Sequence, residues 1–228
     1  MPSKINHVSE ADHDIVTAAV AAAEAHTSGE IVTVVAAKSN DYDDVALVWA
    51  SVIAFIAMSV IALFPDFYRG IYDRLTGGWG HEFTANQWLG TVIAIGVLKW
   101  IGMWVILLWR PLRMALTPRA IKAQRVRARA IDLFKVGTEA KTIGRTGVLL
   151  YLSLKEHRAD IVADEAIAAK VSADVWGNAM AALIERVRAG QPGEGMAEAV
   201  RQMGIVLAEH FPKGDENPNE LPDRLIEI

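Results

Sequence analysis

The sequence predicts an α/β fold, with a small mixed sheet flanked by helices and interrupted by a hairpin of two apolar helices. Three observations predict it. Two long apolar runs, Val45–Phe64 and Trp88–Trp109, each reach the roughly 20 residues a helix needs to cross the hydrocarbon core of a bilayer. Three short runs outside them, Glu30–Ala37 (EIVTVVAA), Val148–Leu154 (VLLYLSL) and Ala159–Ala163 (ADIVA), have the length and apolar character of buried strands. Stretches of helical periodicity lie on both sides of the hairpin. The chain is thus organised as a first domain segment, 1–44, a hairpin, 45–109, and a second domain segment, 110–228.

Composition agrees. The 228 residues are 52% apolar and the mean hydropathy is positive. Removing the hairpin leaves roughly 160 residues, enough for one domain with its own core. The formal net charge of −4 gives no overall basic footprint for nucleic acid. The chain has no cysteine, which excludes disulfides, thiol nucleophiles and thiolate metal sites. The segment Met1–Glu10 lacks the basic-then-apolar pattern of a signal peptide, so the first apolar run is expected to direct insertion.

Charge sets the expected topology. Arg110, Arg113, Arg119, Lys122, Arg125, Arg127 and Arg129 follow the second run with no acid before Asp132, whereas the interhelical loop, Pro65–Gln87, carries only Arg69 and Arg74. The side richer in Lys and Arg stays in the cytoplasm. Both termini are therefore expected to be cytoplasmic and loop 65–87 outside, so the two flanks can fold together. Tyr68, Tyr72, Trp79 and Trp88 suit an interfacial aromatic belt. Lys99 lies near the centre of the second run, where an ammonium costs about 2.5–3.5 kcal/mol on insertion scales. It either snorkels to water or meets a lipid headgroup or an acid on a partner chain, which leaves a homo-oligomer open.

In order along the flanks, Ser9-x-x-Asp12 forms a capping-box pattern ahead of a stripe of Ile15, Val16, Ala19, Val20 and Ala23, and Ser28-Gly29 ends that helix. Thr117-Pro118 starts a basic helix that runs to about Val136, with Thr as N-cap and Pro in the first turn. Its charges suit anionic lipid. Lys155–Arg158 (KEHR) turns one strand into the next, and His157 reads as an exposed turn residue. Helices follow over Glu165–Val171, Asp174–Ala189 and Gly195–Phe211. The tail, Pro212–Ile228, reads as extended, with Leu221 and Pro222 available to fold back on the domain.

Taken together, the EIVTVVA strand, a Ser-x-x-Tyr element at Ser39–Tyr42, TGVLLYLSL, IVADEAI, the Gly-x-Gly-Met-Ala-Glu-Ala helix and Asn219-Glu220-Leu221-Pro222-Asp223 resemble the TPM domain family. That family is named for a thylakoid lumen protein, a photosystem accessory protein and a nematode receptor modulator. The chain looks most like the bacterial branch in which a membrane hairpin interrupts the domain, over roughly Glu10–Tyr42 and Pro118–Asp223. The resemblance implies a small α/β sandwich at the bacterial inner membrane. It also implies a choice of activities, since some relatives are acid phosphatases, some bind calcium and others are accessory factors for membrane complexes. Fold alone does not choose among them.

The chemistry-bearing residues are few. There is no G-x-x-x-x-G-K-[ST] loop and no H-E-x-x-H. Phosphatase-like relatives resemble an Asp-Asn-Gly-Val-Leu pattern before the central strand; here Arg145-Thr146-Gly147-Val148-Leu149 lacks the acid. Glu30, Asp164, Glu165, Glu220 and Asp223 are the candidate ligands for a divalent cation such as calcium, a hard ion that takes six to eight oxygens. The opposing reading is that Asp164 and Glu165 serve the helix start, where acids suit the dipole. Arg145 is a candidate anion site. The leading expectation is a non-enzymatic accessory module bound to a membrane protein partner. The alternative is a phosphatase assisted by a calcium- or magnesium-type ion and acting near the membrane.

Overall fold

β-Branched and leucine-rich runs build the sheet. The structure, a computed structural model, describes residues 8–75, 77, 84–137, 146–214, 221 and 223–228. It divides into two compact units, residues 1–40 with 119–228, and residues 41–118. The first holds a four-stranded mixed sheet in the order β3-β2-β1-β4. Strand β1 (Glu30–Ala36) runs parallel to β2 (Gly147–Ser153), with Ile31 opposite Val148 and Ala36 opposite Ser153. Strand β3 (Arg158–Ala163) lies antiparallel to β2 on one side. Strand β4 (Ile226–Glu227) pairs parallel with β1 on the other. Every residue of β1 and β2 is buried, as expected of central strands covered on both faces.

Alternation divides the sheet into two cores. Ile31, Val35, Val148, Leu150 and Leu152 face three helices: α1 (Glu10–Glu24) through Val16 and Val20, α8 (Gly177–Arg188) through Leu183, and α9 (Pro192–His210) through Met196, Val200, Met203 and Leu207. On the other face Val32, Val34, Leu149 and Tyr151 pack with Val126, Ala130 and Phe134 of α6 (Arg119–Gly137), and with Leu221 from the tail. Helices α1 and α9 approach closely. A Cβ on Gly204 would lie 2.6 Å from Ala23 Cβ.

The predicted α/β class and its flanking helices are present, and so is the antiparallel β2–β3 hairpin. Ser9 caps α1 in a reciprocal box with Asp12. Turn residue His157 is exposed, at φ 47°. The short α7 (Glu165–Ala168) ends earlier than its pattern suggested, and a 3-10 turn, Ala173–Trp176, precedes α8. Two details are corrected. Ile15 is exposed and not part of the α1 stripe. The Thr117 hydroxyl donates to Arg113 O at 2.8 Å, closing the preceding turn, and α6 begins at Arg119. The tail does fold back: Leu221 and Leu225 are buried, and Ile226–Glu227 extend the sheet.

Thr33 stands out in the α1–α9 core. Its neighbours on that face of β1 are Ile31 and Val35, and its hydroxyl is buried with no hydrogen-bond partner among the described residues. An unsatisfied buried hydroxyl costs about 1–3 kcal/mol. Thr33→Val keeps the shape and removes that hydroxyl, so it is expected to stabilise the α/β unit by about 1 kcal/mol, read as a higher urea midpoint with unchanged slope.

The second unit is helical. Helices α2 (Asp43–Leu63) and α4 (Ala85–Leu107) are long and apolar enough to cross a membrane. They pack on each other through Ala46, Ala50 and Ala54 of α2 and Val92 and Gly96 of α4. Met58 packs on Gly96: a Cβ there would sit 2.5 Å from Met58 Sδ, so the methionine side chain would have to move. The interhelical segment, read as a loop, instead begins with a helix, α3 (Pro65–Leu75). A short α5 (Arg110–Leu116) follows α4, and its Arg113 is ion-paired with Asp43.

Candidate functional site

Polar side chains gather at both ends of the β1–β2 pair. At the N-terminal end, the last turn of α1 delivers Glu24 beneath the sheet. Val16, Val20 and Glu24 are spaced four apart, so they fall along one buried line of the helix. Glu24 accepts the Ile31 N–H at 2.7 Å. Glu30, the first residue of β1, is also buried and accepts the Leu221 N–H at 3.3 Å. Burial pushes the Glu24 carboxyl up to about 8, against the bond from Ile31 that lowers it, and the charges of Glu30 and Asp223 push it further. Lys213 works in the opposite direction, and its ammonium donates to Glu24 O at 3.1 Å. The same end is laced by Thr27, whose hydroxyl donates to Phe211 O at 2.6 Å and accepts the Gly29 N–H at 3.0 Å. These bonds tie the end of α1, the start of β1, the end of α9 and the tail together.

The sequence candidates divide accordingly. Glu30 and Asp223 lie near Glu24. Asp164 is buried on the far side of β2, where it accepts the Gly147 N–H at 2.9 Å and makes no side-chain cap on α7. Gly147 is the register partner of Glu30, so the backbones of Asp164 and Glu30 are two strand spacings apart, about 10 Å. Glu165 is exposed at the start of α7. Glu220 and Arg145, and with them Trp79 and Pro222, lie outside the described residues. Among the described residues, no three His, Asp or Glu side chains come together as the ligands of one ion would. Glu24, Glu30 and Asp164 each turn an oxygen onto a backbone N–H. The sequence reading missed Glu24, although an acid in register with Val16 and Val20 was a visible signal.

The C-terminal end of the same parallel pair is the edge where open α/β sheets bind ligands. Glu156 from the β2–β3 turn fills it. Its carboxylate accepts the Ser39 N–H at 3.0 Å and the Ser153 hydroxyl. The Ser39 and Tyr151 hydroxyls are 2.9 Å apart. Burial raises the Tyr151 phenol, against the Ser39 bond that lowers it. On α6, burial lowers the Lys122 ammonium while the Glu156 charge opposes that shift. Arg127 of α6 reaches Asp160 Oδ1 at 2.6 Å and Ile161 O at 2.7 Å on β3. Among the described residues, the polar side chains at this edge bond to one another. Glu156→Ala leaves the Ser153 hydroxyl and the Ser39 N–H without their acceptor, so it is expected to destabilise the unit by about 1–3 kcal/mol. Combined with Ser153→Ala the losses should be less than additive in urea unfolding.

In the helical unit four polar side chains bond within the protein. Trp100 Nε1 donates to Ser51 Oγ at 3.2 Å, Ser51 Oγ to Leu47 O at 2.9 Å, Thr91 Oγ1 to Gln87 O at 2.9 Å and Trp49 Nε1 to Leu116 O at 3.3 Å. The outward surface is apolar: Val48, Phe55 and Ile56 on α2, and Ile93, Val97 and Leu98 on α4, are all exposed. Lys99 is exposed beside Leu98.

The fold is similar to one already solved. The NMR structure of the BA42 protein from the psychrophilic bacterium Bizionia argentinensis matches with a TM-score of 0.55 at 18% identity, over 99% of this chain and 99% of that one. At that identity the likeness carries the fold and no activity. No protein-family model matches the chain, and no curated protein does.

Proposed function

We propose that the chain is a membrane-anchored accessory module: a TPM-like α/β unit held at the cytoplasmic face of a bacterial inner membrane by a transmembrane hairpin. The observation that carries this reading is the outward apolar surface of α2 and α4. A soluble protein rarely exposes a contiguous apolar patch larger than a few hundred Å², whereas a bilayer requires one. The intramolecular hydrogen bonds of Ser51, Thr91, Trp49 and Trp100 support it, because polar groups in lipid must find partners within the protein. The basic residues after α4 favour the cytoplasmic placement of both flanks.

A binding role for the α/β unit is favoured over catalysis. The carboxylates at both ends of the β1–β2 pair are engaged with backbone N–H groups and hydroxyls of the same unit, as expected of structural ties. The unit's ligand in this reading is another membrane protein, and Lys99 on the exposed side of α4 offers that protein, or a second copy of this chain, a charge within the bilayer. Purification of the full chain in mild detergent after cross-linking is expected to recover a reproducible partner; a chain that cross-links to nothing contradicts the reading. Phosphate release from the same preparation should stay at background with and without magnesium or calcium. Metal-dependent release that Glu220→Ala/Asp223→Ala abolishes would instead make the chain a phosphatase.

A further inference from the structure

Helix α3 separates its side chains more sharply than its place in a connecting segment requires. At 3.6 residues per turn, Phe64, Phe67, Tyr68, Ile71, Tyr72 and Leu75 fall within an arc of about 140°. Asp66, Arg69, Gly70, Asp73 and Arg74 occupy the rest. No residue of α3 is buried. Phe67 is 66% and Leu75 82% exposed, so the apolar arc is not covered by protein among the described residues. Two links join α3 to the apolar helices. Only Phe64 separates it from α2, and the Arg69 guanidinium lies 5.1 Å from the Trp88 ring in the first turn of α4.

We infer that α3 is an interfacial helix, lying in the plane of the outer bilayer surface with Phe64, Phe67, Ile71 and Leu75 in the acyl boundary and Asp66, Asp73 and Arg74 toward water. This rests on the reading that α2 and α4 span the membrane. Continuity argues for lipid as the occupant: the apolar arc begins where the exposed apolar surface of α2 ends. Tyr72 sits at one border of the arc with Tyr68 next to it on the same side, where amphipathic rings suit the headgroup level. Asp66 and Arg69 approach to 3.7 Å, and the two acids and two arginines of α3 balance. Attachment therefore depends on buried apolar area, and zwitterionic lipid suffices. The helix sets the depth of the hairpin and spreads its outer end along the surface instead of projecting it into water.

The chain has no cysteine, so single nitroxide labels report one position each. Phe67→Cys, Ile71→Cys, Asp66→Cys and Asp73→Cys, with Phe55→Cys in α2 as the spanning control, would be labelled in the full chain and reconstituted into phosphatidylcholine vesicles. Collision with oxygen is expected to exceed collision with a water-soluble nickel chelate several-fold at 67, 71 and 55, and the order to reverse at 66 and 73. Water exposure at 66, 67, 71 and 73 with position 55 still in lipid overturns the interfacial helix and leaves the hairpin standing. Water exposure at position 55 as well overturns both.

Discussion

Gly204→Val is expected to cause the largest loss of stability in the α/β unit. The substituted Cβ would meet Ala23 Cβ at 2.6 Å and Ala23 Cα at 3.2 Å. Neither atom is the free end of a flexible chain, so relief requires α1 to move from α9. Those helices share the core that holds Val16, Val20, Met203 and Leu207. Overpacking typically costs about 1–3 kcal/mol, and a clash against backbone places this one at the upper end. A loss of about 3 kcal/mol lowers the melting temperature of a unit of this size by roughly 6–12 °C. Gly137→Ala is the control: no described residue lies within 4 Å of its Cβ, and its melting temperature should match the parent's. An unchanged melting temperature for Gly204→Val would mean that α1 and α9 are not packed as described.

The second large effect is a dependence on pH. Glu24 rises from 4.5 to about 8 on folding. Between those values the folded chain holds a proton that the unfolded chain has released, so stability falls as pH rises. The contribution of neutral Glu24 is complete below about pH 4.5, is lost progressively up to about 8, and changes little beyond. The slope approaches about 1.4 kcal/mol per pH unit, which amounts to a few kcal/mol across the window. Glu24→Gln retains an oxygen for the Ile31 N–H and carries no charge. Its urea midpoint should change far less between pH 5 and 8, and at pH 8 it should exceed that of the parent. A parent midpoint flat over this range, or an equal slope in the variant, contradicts the assignment.

Much of the fold was legible in the sequence because its signals are local. Ile31–Val35 and Val148–Leu152 are apolar runs of strand length, and Ser9 with Asp12 carries a capping box within four residues. The hairpin helices announce themselves by length. Helix α3 was missed although Pro65 at its first position and Asp66 in its first turn are helix-start signals; the balance of charged and apolar residues resembled a loop until read at helical spacing. Strand β4 was not legible, since two residues form a strand only by meeting Val34 and Val35 across the sheet. The polar clusters divide similarly. Glu24 could have been found from its spacing to Val20, and Ser153 stands only three residues before Glu156, but nothing near Glu156 foretells that it also holds Ser39, which is 117 residues away. Carboxylates that look like ligands in a list become ties once backbone N–H groups are placed beside them.

The central claim is that the apolar hairpin crosses a bilayer and returns both flanks to one side. Single cysteines at Glu10, Gly77 and Glu209, each in the otherwise cysteine-free chain, would be exposed to an impermeant maleimide in sealed inside-out and right-side-out inner-membrane vesicles. Positions 10 and 209 are expected to react only in inside-out vesicles, and position 77 only in right-side-out ones. Reaction of all three from the same side, or of 10 and 209 from opposite sides, would contradict the account.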